Sequence, residues 1–235
     1  MRTARIEQHP FVFSLAMSSS RSKSGSLDEQ KAWSQYFAYL IKTLADPDAG
    51  VRARAARILG ENREPQAIGA LASLLMDDPD MRVRREAALA LGRLGAVESL
   101  VDGLQVPDMP VRLLITQVLG TLGDPRAIKP LIIALRDTHA EVRSQAAFAL
   151  TKIGEPAVEP LLLTLRHADP VARWSAARVL GSLGDPRAVP ALERLLDDDT
   201  PVPAARTTGE LRATRPIQTV GQAARQALEH IRQRS

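Results

Sequence analysis

A Val-Arg pair that returns at nearly even intervals constrains this chain more than any other feature. Val51-Arg52, Val83-Arg84, Val111-Arg112, Val142-Arg143 and the variant Ala172-Arg173 follow one another at spacings of 32, 28, 31 and 30 residues. Counted from the first member of each pair, small residues come four and five places on, as Ala55-Ala56, Ala87-Ala88, Ala146-Ala147 and Ala176-Ala177. Leu59, Leu91, Leu119, Leu150 and Leu180 stand at eight places, with Gly usually at nine. Leu94-Gly95, Leu122-Gly123, Ile153-Gly154 and Leu183-Gly184 occupy the eleventh and twelfth. A weaker sixth copy starts at Val220, with Ala224, Leu228 and Ile231 in register. Self-similarity at a fixed period of this length is the mark of stacked supersecondary units.

Offsets 0, 4, 7, 8 and 11 fall on one side of a 3.6-residue helix, so each copy contains one amphipathic helix. The glycine at twelve ends it, because a left-handed residue after a helix costs glycine least. A turn follows, spelled GDPRAIKPL at 123–131, GEPAVEPLL at 154–162 and GDPRAVPAL at 184–192. Its second proline, Pro130 for example, suits the first turn of another helix, where a missing N–H breaks no bond. Leu131, Ile132 and Leu135 point that helix inward, and an acidic turn leads to the next Val-Arg. Each unit is then a helix pair too small to bury its own core, and stacking stabilises it.

At the front, Ser26 and Glu29 read as a capping box. It opens a helix through Trp33, Phe37, Leu40, Ile41 and Leu44, with Trp33, Tyr36 and Tyr39 placed to cover the end of the array. Residues 1–25 read as a disordered tail. Their short apolar patch from Phe11 to Met17 is a poor secretory signal, since Glu7 and Pro10 interrupt it; Met17 is an alternative start. The array is expected over 26–235, with a long loop at 197–219 interrupting its last copy. A loop of that length is usually functional or disordered, and both readings stay open.

Composition supports helices: aromatics are 3 % of the chain and Ala, Leu and Arg are abundant, residues that lose little freedom in a helix. With no cysteine, disulfides and thiolate chemistry are excluded. No apolar stretch approaches the roughly 18–20 residues of a membrane span, and a cytoplasmic location is expected. The formal charge of +4 is unevenly spread: +3 over 1–27, +4 over 200–235 and −3 over the body between them. An acidic body argues against nonspecific nucleic-acid binding, which needs cations lined up against phosphates.

The combination of Val-Arg, Ala-Ala, Leu-Gly and Gly-Asp-Pro-Arg-Ala over roughly 40–196 resembles the HEAT-like repeats of the phycobilisome-lyase type. The resemblance implies an all-α, right-handed α-solenoid of about six two-helix repeats, with the Val-Arg helix lining the concave face. It implies less about function, because such repeats serve scaffolds, bilin lyase subunits and a few enzymes. HEAT-like deoxyhypusine hydroxylases hold iron through His-Glu pairs, and none of His9, His139, His167 and His230 precedes a Glu. No phosphate loop, dinucleotide fingerprint or hydrolase motif is present. The clusters Asp77-Asp78-Asp80 and Asp197-Asp198-Asp199 lack calcium-loop spacing and read as solvated turns. No catalytic residue, metal or cofactor is expected.

Two sets of residues remain. Arg52, Arg84, Arg112, Arg143 and Arg173, at the edge of the buried stripe, read as a structural ladder. The acidic turns at Asp48, Asp80, Asp108, Asp137 and Asp169 are within their reach. On the opposite face, which should be polar, stand Leu89, Leu113, Leu114, Phe148 and Trp174. Arg57, Arg93, Lys152 and Arg178 are among the charges around them. These nine read as a partner-binding face, and the leading expectation is a non-catalytic scaffold for a protein segment with apolar anchors and acidic flanks. A bilin lyase-like subunit holding a tetrapyrrole is the alternative. Nucleic-acid binding, with Trp174 stacking on a base, ranks third.

Overall fold

Aspartates open several of the Val-Arg helices. Asp48 accepts from the N–H groups of Gly50 and Val51, Asp80 from Arg82 and Asp169 from Val171, satisfying donors that a helix start leaves unpaired. The computed structural model describes residues 27–202 and 218–234. The tail at 1–25, Ser26 of the capping box and most of the loop at 197–219 lie outside the described residues.

Twelve α-helices occur among the described residues, in two compact units that divide between Gly103 and Leu104. The first unit holds α1 (Leu27–Thr43), α2 (Ala49–Glu61), α3 (Ile68–Asp77), α4 (Met81–Arg93) and α5 (Val97–Asp102). The second holds α6 (Met109–Leu122), α7 (Ile128–Ala134), α8 (Ala140–Ile153), α9 (Val158–Thr164), α10 (Pro170–Leu183), α11 (Val189–Glu193) and α12 (Val220–Arg234). The even-numbered helices are the Val-Arg helices, and within each unit they pack on one another: α2 on α4, then α6 on α8, α8 on α10 and α10 on α12. The intervening helices cover them, α3 against α4, α7 against α8, α9 against α10 and α11 against α12. Leu59, Leu91, Ile115, Leu119, Leu150 and Leu180 of the Val-Arg helices are fully buried, as are Leu71, Leu100, Leu131, Leu161 and Leu192 of their partners.

Each Gly-Asp-Pro-Arg turn is a single 3-10 turn with its own cap. Asp124 accepts from the N–H of Arg126 and Asp185 from that of Arg187, at 2.8 and 2.9 Å, and each guanidinium folds back onto the same carboxylate. Both carboxyls are held below the usual range, chiefly by that arginine. After the Val-Arg helices, Gly95, Gly123, Gly154 and Gly184 take positive φ. In the first copy the place belongs to Arg63, at φ 50°. A side chain there costs about 1 kcal/mol more than glycine. Arg63→Gly should therefore raise stability in urea titration by about 1 kcal/mol; an unchanged or lower midpoint would refute the strain.

In α1, Trp33 stacks on Phe37 and meets Tyr36 edge-on, at 5.4 and 6.1 Å between centroids. Tyr36 and Phe37 are buried, whereas Trp33 and Tyr39 are half-buried. The helical periodicity gives no strand, yet Pro201–Val202 pairs antiparallel with Gln218–Thr219. This two-residue ladder joins the ends of the insertion just before α12.

Candidate functional site

The arginines one place into the Val-Arg helices divide into two kinds. Arg52 pairs in two-pronged fashion with Asp78, 2.7 and 2.9 Å, and donates to the carbonyls of Asp46 and Pro47. Arg112 does the same with Asp137, at 2.8 and 3.1 Å, and with the carbonyls of Val106 and Pro107. Arg173 reaches Asp198 at 2.9 Å and the carbonyls of His167 and Ala168. Asp78 and Asp137 stand in the turn before the next Val-Arg helix and Asp198 at the start of the insertion that precedes α12, so the guanidinium staples adjacent repeats. Arg84 and Arg143 donate instead to the carbonyls of Asp78 and Asp137, in their own turns. At the places matching the stapling carboxylates after them, the sequence has Val106 and His167.

Of the acidic residues expected beside this ladder, Asp137 is a stapling partner. Asp48, Asp80 and Asp169 spend their carboxylates on helix N-termini, and Asp169 also takes Arg136. Asp78 and Asp198, expected as solvated turn residues, are the staples; Asp78 is 5 % exposed. Burial pushes Asp78, Asp137 and Asp198 upward in pKa, but the paired guanidinium and turn hydrogen bonds outweigh it and leave all three below the ordinary value. A carboxyl depressed on folding stabilises the protein above its unfolded pKa, about 3.9, and loses that contribution as pH falls through the folded value. With side chains only 11 and 12 % exposed, the Arg112–Asp137 staple is worth roughly 2 kcal/mol. Asp137→Ala should lose about that much in thermal melts at pH 7, and the difference from the parent should shrink below about pH 4. A pH-independent difference would mean that packing, not charge, carries the effect.

The nine face residues divide between the units. In the first, Arg57 on α2 and Arg93 on α4 are exposed and Leu89 is half-buried. In the second, Leu113 and Leu114 on α6 are half-buried, Phe148 on α8 is 55 % exposed and Trp174 on α10 is half-buried. Each ring has a cation one helical turn along. Lys152 Nζ lies 5.5 Å from the Phe148 centroid, and Arg178 Cζ lies 4.6 Å from that of Trp174, within cation–π range. Both cations are exposed, and neither has an ion-pair partner among the described residues. Ser175, beside Trp174 in sequence, is buried and donates to the Leu135 carbonyl at 3.3 Å. Offset 10 is exposed in every copy and offset 6 in all but Leu89, whereas offset 3 is half-buried or buried throughout and offset 2 is mixed.

Among the described residues no cluster of three or more His, Asp or Glu side chains is placed to hold a metal ion. His139 touches Asp137 and Arg112, and His167 accepts from the N–H of Asp169. No described helix is long and apolar enough to cross a membrane.

Paired helices, stapling arginines and glycine-ended Val-Arg helices define an all-α repeat protein. A model of HEAT repeats matches residues 37–102, 97–169 and 128–211. The chain belongs to the HEAT-repeat family, with repeats of the phycobilisome-lyase type. It is 36 % identical over 131 residues to a HEAT repeat-containing taxis protein of Halobacterium salinarum, covering 46 % of this chain and 32 % of that one. It is 40 % identical over 95 residues to phycocyanobilin lyase subunit alpha of a Picosynechococcus species, covering 36 % and 35 %. A deoxyhypusine hydroxylase of Aspergillus oryzae is 42 % identical over 114 residues, 47 % of this chain and 30 % of that one. The match thus spans about a third of each relative's length. Among solved structures, the complex of CpcE and CpcF of phycocyanin lyase from Nostoc aligns with 92 % of this chain and 91 % of that one, at 23 % identity and a TM-score of 0.41.

Proposed function

We propose that the chain is a non-catalytic interaction protein that holds a segment of another protein on the exposed face of α8 and α10. The observation that carries this reading is the pair of aromatic–cation couples, Phe148 with Lys152 and Trp174 with Arg178. Their rings offer apolar anchorage and their charges lack acidic partners among the described residues. The occupant this chemistry recognises is a segment with apolar side chains flanked by Asp or Glu. Leu113 and Leu114 extend the apolar surface on α6. Arg57, Leu89 and Arg93 are assigned to the same role in the first unit. The test is capture from a lysate of the source organism by the parent chain and by a Lys152→Glu/Arg178→Glu variant. A partner held by the first and released by the second supports the reading; equal capture by both contradicts it.

The resemblance to phycocyanobilin lyase subunits motivates a second reading, in which the same rings and cations take a tetrapyrrole and its propionates. Mixing the protein with phycocyanobilin separates the two. A shifted visible band retained through gel filtration favours the bilin, and an unchanged spectrum favours the protein partner.

A further inference from the structure

Two devices lock successive Val-Arg helices, and both fail at the same place in the second unit. The first is the arginine staple. The second is close approach: a Cβ added to Gly60 would lie 2.6 Å from the Cα of Ala90, one on Gly120 2.6 Å from the Cβ of Ala149, and one on Gly181 2.6 Å from the Cα of Ala227. These glycines stand at the ninth place of one copy and the alanines at the seventh of the next. Between α8 and α10 those places hold Thr151 and Val179, and the two helices run close over a shorter length than α6 with α8 or α10 with α12. The staple is absent there as well, because His167 replaces the aspartate that would face Arg143. His167 Nδ1 keeps the turn bond from the Asp169 N–H at 2.9 Å but supplies no anion. Burial lowers the Arg143 pKa, and the carboxylates that act against this, Asp137 and Glu141, both belong to its own repeat.

Near the start of α10 the seam is tied by Ser175, buried and donating to Leu135, and by Arg136 with Asp169 at 2.5 Å, whose carboxylate side chain is 25 % exposed. Past the ends of the two helices Arg187 reaches Glu155 and Glu159 at 3.1 and 3.7 Å, but all three of these side chains are exposed, and exposed ion pairs contribute little. Where α8 and α10 end lies a cavity of about 430 Å³, lined by Thr151, Gly154, Glu155, Val158, Ser182 and Asp185 with Arg234 at its side.

We infer that the seam between α8 and α10 is a hinge, tied by a buried hydrogen bond near the start of α10 and held by exposed ion pairs alone where both helices end, so that it opens there. Phe148 stands on one side of it and Trp174 on the other, so on the binding reading above the hinge sets the spacing of the two anchors. Since the chain has no cysteine, the hinge can be tested without a partner. Nitroxide labels go on the full chain at Thr121→Cys with Lys152→Cys, across the locked seam, and at Lys152→Cys with Ser182→Cys, across the open one. Double electron–electron resonance should give a broader distance distribution for the second pair than for the first. Thr151→Gly with Val179→Ala, which restores the close approach, should narrow and shorten that distribution. Equal widths for the two pairs in the parent overturn the hinge, whatever the fate of the binding reading; so does a folded restored variant whose width is unchanged. If the restored variant fails to fold, the parent comparison decides.

Discussion

Gly120→Ala should destabilise the protein by about 3 kcal/mol, the upper end of what overpacking costs. In the middle of a helix the same change ordinarily stabilises, by about 1 kcal/mol, because alanine is the better helix former. Here the added methyl would lie 2.6 Å from the Cβ of Ala149 and 2.8 Å from its Cα. The second of these is backbone, which no rotamer change moves aside. α6 and α8 must separate to admit it, and the Arg112–Asp137 staple spans the same pair. Thr151→Ala supplies the contrast, since that position already carries a Cβ; its cost should stay below about 1 kcal/mol, the scale of one lost part-buried hydroxyl hydrogen bond, the one Thr151 donates to the Ala147 carbonyl. Urea titration of both variants reads the difference. Stabilisation by Gly120→Ala would mean that the helices are not in close contact there.

Much of this fold is legible in the sequence because its repeat is carried by residues with single physical reasons. Gly123 and Gly184 stand where the backbone turns left-handed, and Leu119 and Leu150 recur on one stripe and are fully buried. The staples are legible only by half. The recurring arginines are plain, but their partners lie 25 or 26 residues on, and the nearer aspartates compete for attention because they cap helices. Counted from the arginine, Asp78, Asp137 and Asp198 stand at nearly the same distance, and Val106 and His167 take the corresponding places in the other two copies. The glycine at nine is likewise visible without its purpose, since close approach involves a neighbouring helix that one repeat does not contain. The candidate face is the least legible part. Periodicity assigns Trp174 and Ser175 alike to the open side, yet Ser175 is buried against Leu135 and Trp174 is half-buried. A helix in a stack has neighbours on both flanks, so its polar side is narrower than the wheel suggests.

Trp174→Ala should weaken the protein partner by about 2 kcal/mol, close to thirtyfold in Kd. Exposed aromatics at interface centres are frequent hot spots, since one rigid ring buries a large area for little lost freedom. Removing this one also frees Arg178, whose guanidinium is held over the ring at 4.6 Å. Its placement for an acidic flank would be lost with the anchor. Charge reversal at Arg178 alone should act more through association rate and salt sensitivity. Stability should suffer less than binding, because the Trp174 side chain is only half-buried and its loss leaves a surface hollow, not a core cavity. The most direct measurement is paired titration calorimetry and thermal melts on Trp174→Ala, using the partner that the parent chain retains. The account predicts affinity down about thirtyfold with a melting temperature close to the parent's. Unchanged affinity, or a variant that unfolds outright, would contradict it.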